Sequence, residues 1–302
     1  MKKSLIVLVG PTAIGKTKLS IYLAKQLGTE IISADSRQIY KGIPIGTATP
    51  SQEELHSVKH HFVSTLPLTQ PYNAGKFEVE VLSLLENNLF KKGDIAILCG
   101  GSMLYVDAVC KGIDDFPAVD ASLREELIKE FKEKGIENIQ QKLKFLDPEY
   151  YDKVDLHNPQ RILHALEICL QTGRTFSSFR KERRKKRPFN IIKIGLEIPR
   201  EELYERINIR VEQMMQKGLL EEVKSVLQYR KCNALQTVGY KELFSYLDGE
   251  LSMEQAVEKI KQNTRIYSKK QMTWFKKDKE VRWFSPSQEK EVLDFIVSSL
   301  QK

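Results

Sequence analysis

The sequence predicts an α/β fold, a parallel sheet flanked by helices, with an inserted all-helical domain. Three observations carry this. Short β-branched or apolar runs recur as candidate strands at Ser4 to Val9, Glu30 to Ala34, His60 to Thr65, Asp94 to Cys99 and Ile191 to Ile198. Helical patterns separate the early runs, and such alternation builds a parallel sheet whose ligands bind beyond the carboxyl ends of the strands. Between the fourth and fifth runs the chain is helical in character, so the sheet is interrupted there.

The first run leads directly into Gly10, Pro11, Thr12, Ala13, Ile14, Gly15, Lys16 and Thr17, which fit the P-loop pattern of Gly, four residues, Gly-Lys-Thr, followed by a predicted helix. The second run leads into Ser33-Ala34-Asp35-Ser36-Arg37-Gln38, and the fourth ends in Gly100-Gly101-Ser102. In the interruption, Ser122 to Lys134 and Asn158 to Gln171 read as helices. Asn158 suits an N-cap, Pro159 the first helical position and Gly173 the C-terminal cap. We therefore divide the chain into a P-loop core, residues 1–112 and 190–302, and a helical insertion, residues 113–189. Beyond the fifth strand, Arg200 to Tyr229 and Met253 to about Lys277 are again helical.

At 302 residues and 41% hydrophobic content the chain can bury a full core, which excludes wholesale disorder. Of the net charge of +8, Arg180 to Arg187 alone carries +6, as seven basic residues and one acidic. This concentration reads as a contact patch for a phosphate backbone, against the alternative of a solvated surface loop. The four cysteines, Cys99, Cys110, Cys169 and Cys232, are widely spaced without a Cys-x-x-Cys pattern, which fits mostly buried thiols in a reducing compartment. The apolar start imitates a signal peptide but runs into Gly10-Pro11, not a small-residue cleavage site. No stretch is long enough to span a membrane, so the expectation is a cytoplasmic protein, monomeric by default.

In a P-loop the backbone curls so that successive amides face phosphate oxygens, and the helix N-terminus adds partial positive charge. Lys16 would neutralise the outer phosphates and Thr17 would ligate Mg²⁺. The motif alone does not say whether the phosphates belong to a nucleotide or to another diphosphate. An NTPase usually places an acid at the end of an apolar strand, where this chain has Gly100-Gly101-Ser102. Asp35, at the active edge of the sheet, is a candidate metal ligand or base.

With these residues in place the chain resembles the tRNA dimethylallyltransferase (tRNA isopentenyltransferase) family of bacterial type. The segments that carry the likeness are residues 10–17, 33–40, 45–48 (Ile-Gly-Thr-Ala), 100–105 (Gly-Gly-Ser-Met-Leu-Tyr), 158–167 (Asn-Pro-Gln-Arg-Ile-Leu-His-Ala-Leu-Glu), 237–242 (Thr-Val-Gly-Tyr-Lys-Glu) and 264–275 (Thr-Arg-Ile-Tyr-Ser-Lys-Lys-Gln-Met-Thr-Trp-Phe). The resemblance implies transfer of a dimethylallyl group from dimethylallyl diphosphate to N6 of adenosine 37, in tRNAs reading codons that begin with U, with release of pyrophosphate. It implies that the P-loop cradles the diphosphate without ATP hydrolysis and that the insertion helps grip the anticodon stem-loop. Two positions depart from the family: Ser102 replaces the usual threonine, and Ser64 replaces a carboxylate, which puts that acid's role in doubt here.

By resemblance, Asp35 is the base that takes a proton from the adenine amine, whose delocalised lone pair makes it a poor nucleophile. Thr12, Ser102 and Arg210 complete the expected catalytic set. Arg210 is our candidate for stabilising the leaving group, on a helix whose buried stripe is Leu203, Ile207, Val211 and Met214. The target base must be extruded to reach such a centre. Expected tRNA contacts are Asp35, Ser36, Arg37 and Gln38 at the meeting point; Arg124, Gln160, Arg161, Ile162, Leu163 and His164 in the insertion; and Gln236, Thr237, Val238, Gly239, Tyr240 and Lys241 in the core. Arg265, Lys269 and Lys270 add backbone contacts, whereas Trp274 and Phe275 read as core anchors. On the motifs' chemistry alone three rivals stand: a small-molecule kinase, prenylation of free adenine nucleotides, and an RNA-binding NTPase switch.

Overall fold

A computed structural model describes residues 2–114, 116–117, 120–180 and 185–301. The described residues form two compact units, Met1–Lys111 with Lys186–Lys302, and Gly112–Lys185.

The first unit is built on a six-stranded sheet in the order β3-β2-β4-β1-β5-β6. Its strands are β1 (Ser4–Val9), β2 (Ile31–Ser33), β3 (His60–His61), β4 (Ile95–Gly100), β5 (Asn190–Leu196) and β6 (Arg282–Phe284), all paired in parallel. Parallel sheets are covered on both faces, so their central strands read as unbroken apolar runs. Leu5 to Val9 of β1 are accordingly buried throughout, flanked by β4 and β5. One apolar cluster joins Val7, Leu98 and Phe77 to Leu243 and Ile260, and the other joins Ile6, Leu8, Ile194, Ile207 and Ile296.

The sequence reading departs from the structure where backbone conformation overrides propensity. The third strand stops at His61 because Phe62 and Ser64 have φ of 63° and 50°, left-handed values that break a ladder. The expected helix from Arg200 to Tyr229 is Arg200–Gln216 and Leu219–Ser225, parted by Gly218 at φ 92°. The short β6 was not foreseen, since one exposed and two half-exposed residues carry little periodicity.

In the second unit, helices Ala121–Leu146 and Pro159–Thr172 enclose Leu127, Ile139, Leu143, Ile162, Leu163 and Leu166. The first of these helices is interrupted at Gly135, with φ 80°. Asn158 accepts from the Arg161 amide and Gly173 closes the second helix at φ 65°, as the cap residues imply.

Of the basic run, Lys181, Glu182, Arg183 and Arg184 lie outside the described residues. Arg187 is no phosphate contact. Its side chain is 7% exposed, pairs with Glu78 at 2.7 Å and donates to the carbonyls of Ala108 and Val109. Phe189 packs against Phe90, so Lys186 to Phe189 belong with the sheet and not, as read from sequence, with the insertion. Arg187→Ala should lower unfolding stability by about 3 kcal/mol, since it breaks a buried ion pair. Lys186→Ala, at an exposed position, should change it by less than about 0.5 kcal/mol, both measured by denaturant unfolding.

Candidate active site

The chain leaves β1 into the P-loop and re-enters regular structure at the helix Lys16–Leu27. Gly15 caps this helix with φ 101° and ψ 18°, a conformation that only glycine adopts without cost. Ala13, at φ 64°, takes a left-handed backbone without that freedom, the local strain expected where a loop is shaped for a ligand. Lys16 Nζ donates to the carbonyls of Gly10 (3.0 Å) and Pro11 (2.7 Å). Burial brings the Lys16 pKa down to about 8; the Arg210 guanidinium adds to this and Asp35 opposes it.

Asp35 follows β2. Its Oδ1 accepts from the backbone amides of Arg37 (2.8 Å) and Gln38 (3.2 Å), a local turn that fixes the carboxylate. The loop after β4 steadies the same turn, since Ser102 Oγ accepts from the Ser36 amide at 2.8 Å and the Ser102 amide donates to Ala34. Arg210 comes from the helix Arg200–Gln216, which buries Leu203, Ile207 and Val211, and its Nη1 donates to Thr12 Oγ1 at 3.4 Å. Burial lowers the Arg210 pKa while Asp35 raises it; a guanidinium stays charged through such shifts.

Two cavities, of about 750 and 590 Å³, open on this constellation. Both are lined by Thr12, Asp35, Thr47, Arg210, Met214 and Tyr267. The first also takes in Thr12 to Thr17 of the P-loop, with Ile31, Pro44 and Ile45 as apolar wall. The second is lined by Ser36, Arg37, Ser102, Gln236, Thr237, Val238, Gly239, Lys241 and Lys270. Residues read from distant segments thus converge, and three of the four expected catalytic residues lie on both cavities. Ser102 lines only the second, and Ser64 lines neither; its amide donates to the Gln38 carbonyl.

Several expectations need correction. Gly10 and Pro11 line neither cavity and hold Lys16 from behind. Tyr240 is fully buried and donates to Glu222, so its side chain cannot face RNA. Ile162 and Leu163 are core residues of the helical unit. On that unit Gln160 and Arg161 are exposed, while Arg124 and the half-exposed His164 each approach the buried Glu167 at 3.5 Å. Arg265 is held by Asn208 and Glu258, and Gln38 spends its amide on Thr47, Ala48 and Ser33. Phe275 is buried and Trp274 donates to Asp107, as core anchors do.

Sequence reasoning missed Tyr267, and it placed Met214 in a buried stripe, whereas Met214 is half-buried and lines both cavities. Burial pushes the Tyr267 phenol up to about 12, with Asp35 adding to the shift. Both residues sit in helices read correctly as helices, and only three-dimensional direction distinguishes them from their neighbours.

Among the described residues no group of three or more His, Cys, Asp or Glu could hold a metal ion. The first cavity nevertheless offers the Thr17 hydroxyl and Asp35. This sparse oxygen set suits Mg²⁺, which takes few protein ligands and completes its shell from phosphates and water.

Residues 38–278 match the family model described as IPP transferase. A tRNA dimethylallyltransferase 1 of Bacteroides fragilis is 57% identical, covering 99% of both chains, and one of Bacteroides thetaiotaomicron is 56% identical over 97% of this chain and 95% of its own. The chain belongs to the IPP transferase family. Among solved structures, the full-length tRNA isopentenylpyrophosphate transferase of Bacillus halodurans superposes with a TM-score of 0.73 at 35% identity, covering 99% of this chain and 97% of its own. A eukaryotic dimethylallyltransferase acting on tRNA gives a TM-score of 0.75 at 28% identity, covering 90% of this chain and 69% of that one. The family model begins after the P-loop, whereas the match to the Bacteroides fragilis relative covers 99% of this chain.

A pH dependence follows from Lys16. A diphosphate bound at the P-loop would raise the Lys16 pKa above its value in the free protein, so its affinity is expected to be full below about pH 8 and to fall as pH rises through it, by up to about tenfold per unit. Calorimetric titration of an organic diphosphate against the wild type and Lys16→Met should show this slope only in the wild type.

Proposed function

We propose that the first cavity binds dimethylallyl diphosphate and the second receives an extruded adenine, with transfer at the wall they share. The chain is a prenyl transferase acting on tRNA. The acceptor is N6 of adenosine 37 in tRNAs reading codons that begin with U, and pyrophosphate is the product released. The observation that carries this reading is the convergence of Thr12, Asp35 and Arg210 on both cavities. The second cavity, of about 590 Å³, is bordered by Arg37, Lys241 and Lys270, as an acceptor carrying a phosphate backbone requires; family membership removes the kinase and the nucleotide switch.

As the bond between the allylic carbon and the diphosphate oxygen breaks, N6 forms a bond to that carbon and loses a proton. Asp35, fixed through Oδ1 by two backbone amides, accepts the proton. Negative charge growing on the leaving oxygens is met by the P-loop amides, Lys16 and Arg210, in a site where low dielectric strengthens each interaction. Thr17 would hold Mg²⁺, which would supply Lewis-acid charge when bound. The apolar wall of Ile31, Pro44 and Ile45 suits the five-carbon chain and keeps water from the electron-deficient carbon.

Ser36, Arg37, Gln236, Thr237, Val238, Gly239 and Lys241 border the acceptor cavity. Arg124, Gln160, Arg161 and His164 contribute polar groups from the helical unit to the anticodon stem-loop. The enzyme works as a monomer in the cytoplasm; among the described residues no helix is long and apolar enough to cross a membrane.

Incubation with radiolabelled dimethylallyl diphosphate, Mg²⁺ and unmodified tRNA should place label on adenosine 37. Asp35→Asn should lower kcat by about 100-fold or more, with tRNA affinity within about threefold of wild type. Unaltered turnover in Asp35→Asn would remove the base assignment, and no transfer by the wild type across several tRNAs would remove the reading itself.

A further inference from the structure

One polar side chain in the wall of the donor cavity has no part in the chemistry described so far. Gln271, on the helix Met253–Phe275, is only 2% exposed. Its Oε1 accepts from the Thr12 amide at 2.9 Å, and its Nε2 donates to the Gly101 carbonyl at 2.9 Å. A buried amide must find partners for both ends, and here the partners lie on the two loops that carry the reacting groups. Thr12 begins the part of the P-loop that lines the cavity and meets Arg210 through its hydroxyl. Gly101 precedes Ser102, which holds the Asp35 turn through Ser36. The fit at Gly101 is close: a Cβ there would stand 2.3 Å from Nε2.

We propose that Gln271 is a positioning residue that fixes the spacing between the diphosphate loop and the base. One rigid planar amide spans the gap, so neither loop shifts without the other. The Thr12 N–H is spent on this bond, which leaves the amides that follow it to hold phosphate. The same helix brings Asn263, Thr264, Tyr267 and Lys270 to the acceptor cavity, so it contacts both substrates in the reading above, on which this proposal rests. Glutamine is required because the site needs an acceptor and a donor together, and an ionised carboxylate offers only acceptors.

The test compares wild type, Gln271→Leu and Gln271→Glu in the full chain. Steady-state transfer is followed between pH 6 and 8, and inorganic pyrophosphate binding is measured in parallel by calorimetry. In Gln271→Leu, kcat should fall by about tenfold or more while KM for tRNA stays within about threefold, because misplacement taxes the transition state more than binding. Protonated glutamic acid can accept from Thr12 and donate to Gly101 as glutamine does. Activity of Gln271→Glu relative to wild type should therefore recover as pH falls from 8 to 6. The same cavity wall carries the charged or titratable groups Lys16, Asp35, Glu54, His60, Cys99, Arg206, Arg210, Lys217 and Tyr267; the ionised carboxylate of Gln271→Glu also acts on these, so the ratio is read beside uncharged Gln271→Leu, which should show no such recovery. A flat ratio, or Gln271→Leu with kcat within about twofold of wild type, would overturn the proposal. If the wild type transfers nothing but binds pyrophosphate, and both variants weaken that binding with the same pH recovery, the functional reading fails and the role of Gln271 stands.

Discussion

The site depends on the burial of two cations beside one carboxylate. Lys16 and Arg210 lie close enough to Asp35 for each to feel its charge, and burial pulls the pKa of both downward. Desolvating a cation is costly unless an anion compensates, and one carboxylate cannot compensate two. In the function proposed above, a diphosphate supplies the missing negative charge, and release of pyrophosphate restores the shortfall. Carbonyls of Gly10 and Pro11 hold Lys16 in place meanwhile, so the ammonium is already oriented when phosphate arrives.

Sheet order makes this possible. With β4 between β1 and β2, the loops after all three strands open on one edge, bringing Thr12, Asp35 and Ser102 together from positions far apart in the chain. Cross-links between these loops run through the Ser102 hydroxyl and the Gln271 amide. They hold Asp35, the base in the proposed mechanism, relative to the P-loop with few degrees of freedom, the preorganisation that electrostatic catalysis requires.

The sequence made the sheet and the phosphate loop legible because both rest on local signals. Leu5 to Val9 is an unbroken apolar run, and Gly15-Lys16-Thr17 carries its conformation in residue type. The caps at Asn158 and Gly173 were readable for the same reason. What stayed hidden was side-chain direction. Tyr240 stands in a polar motif yet points at Glu222, Ile162 and Leu163 share a motif with exposed Gln160 and Arg161, and Arg187 is a core residue within a basic run. Gln271, in a segment of lysines, gave no hint that it would be buried between two loops. Such placements depend on partners far away in sequence, which no local pattern encodes.

The most direct measurement is a crystal structure of the enzyme with a non-reactive thio-analogue of dimethylallyl diphosphate and an anticodon stem-loop. The account predicts phosphates on the amides of the P-loop within reach of Lys16 and Arg210, and adenine N6 within about 3 Å of Asp35. Phosphates bound in the second cavity, or an adenine whose N6 faces away from Asp35, would contradict it.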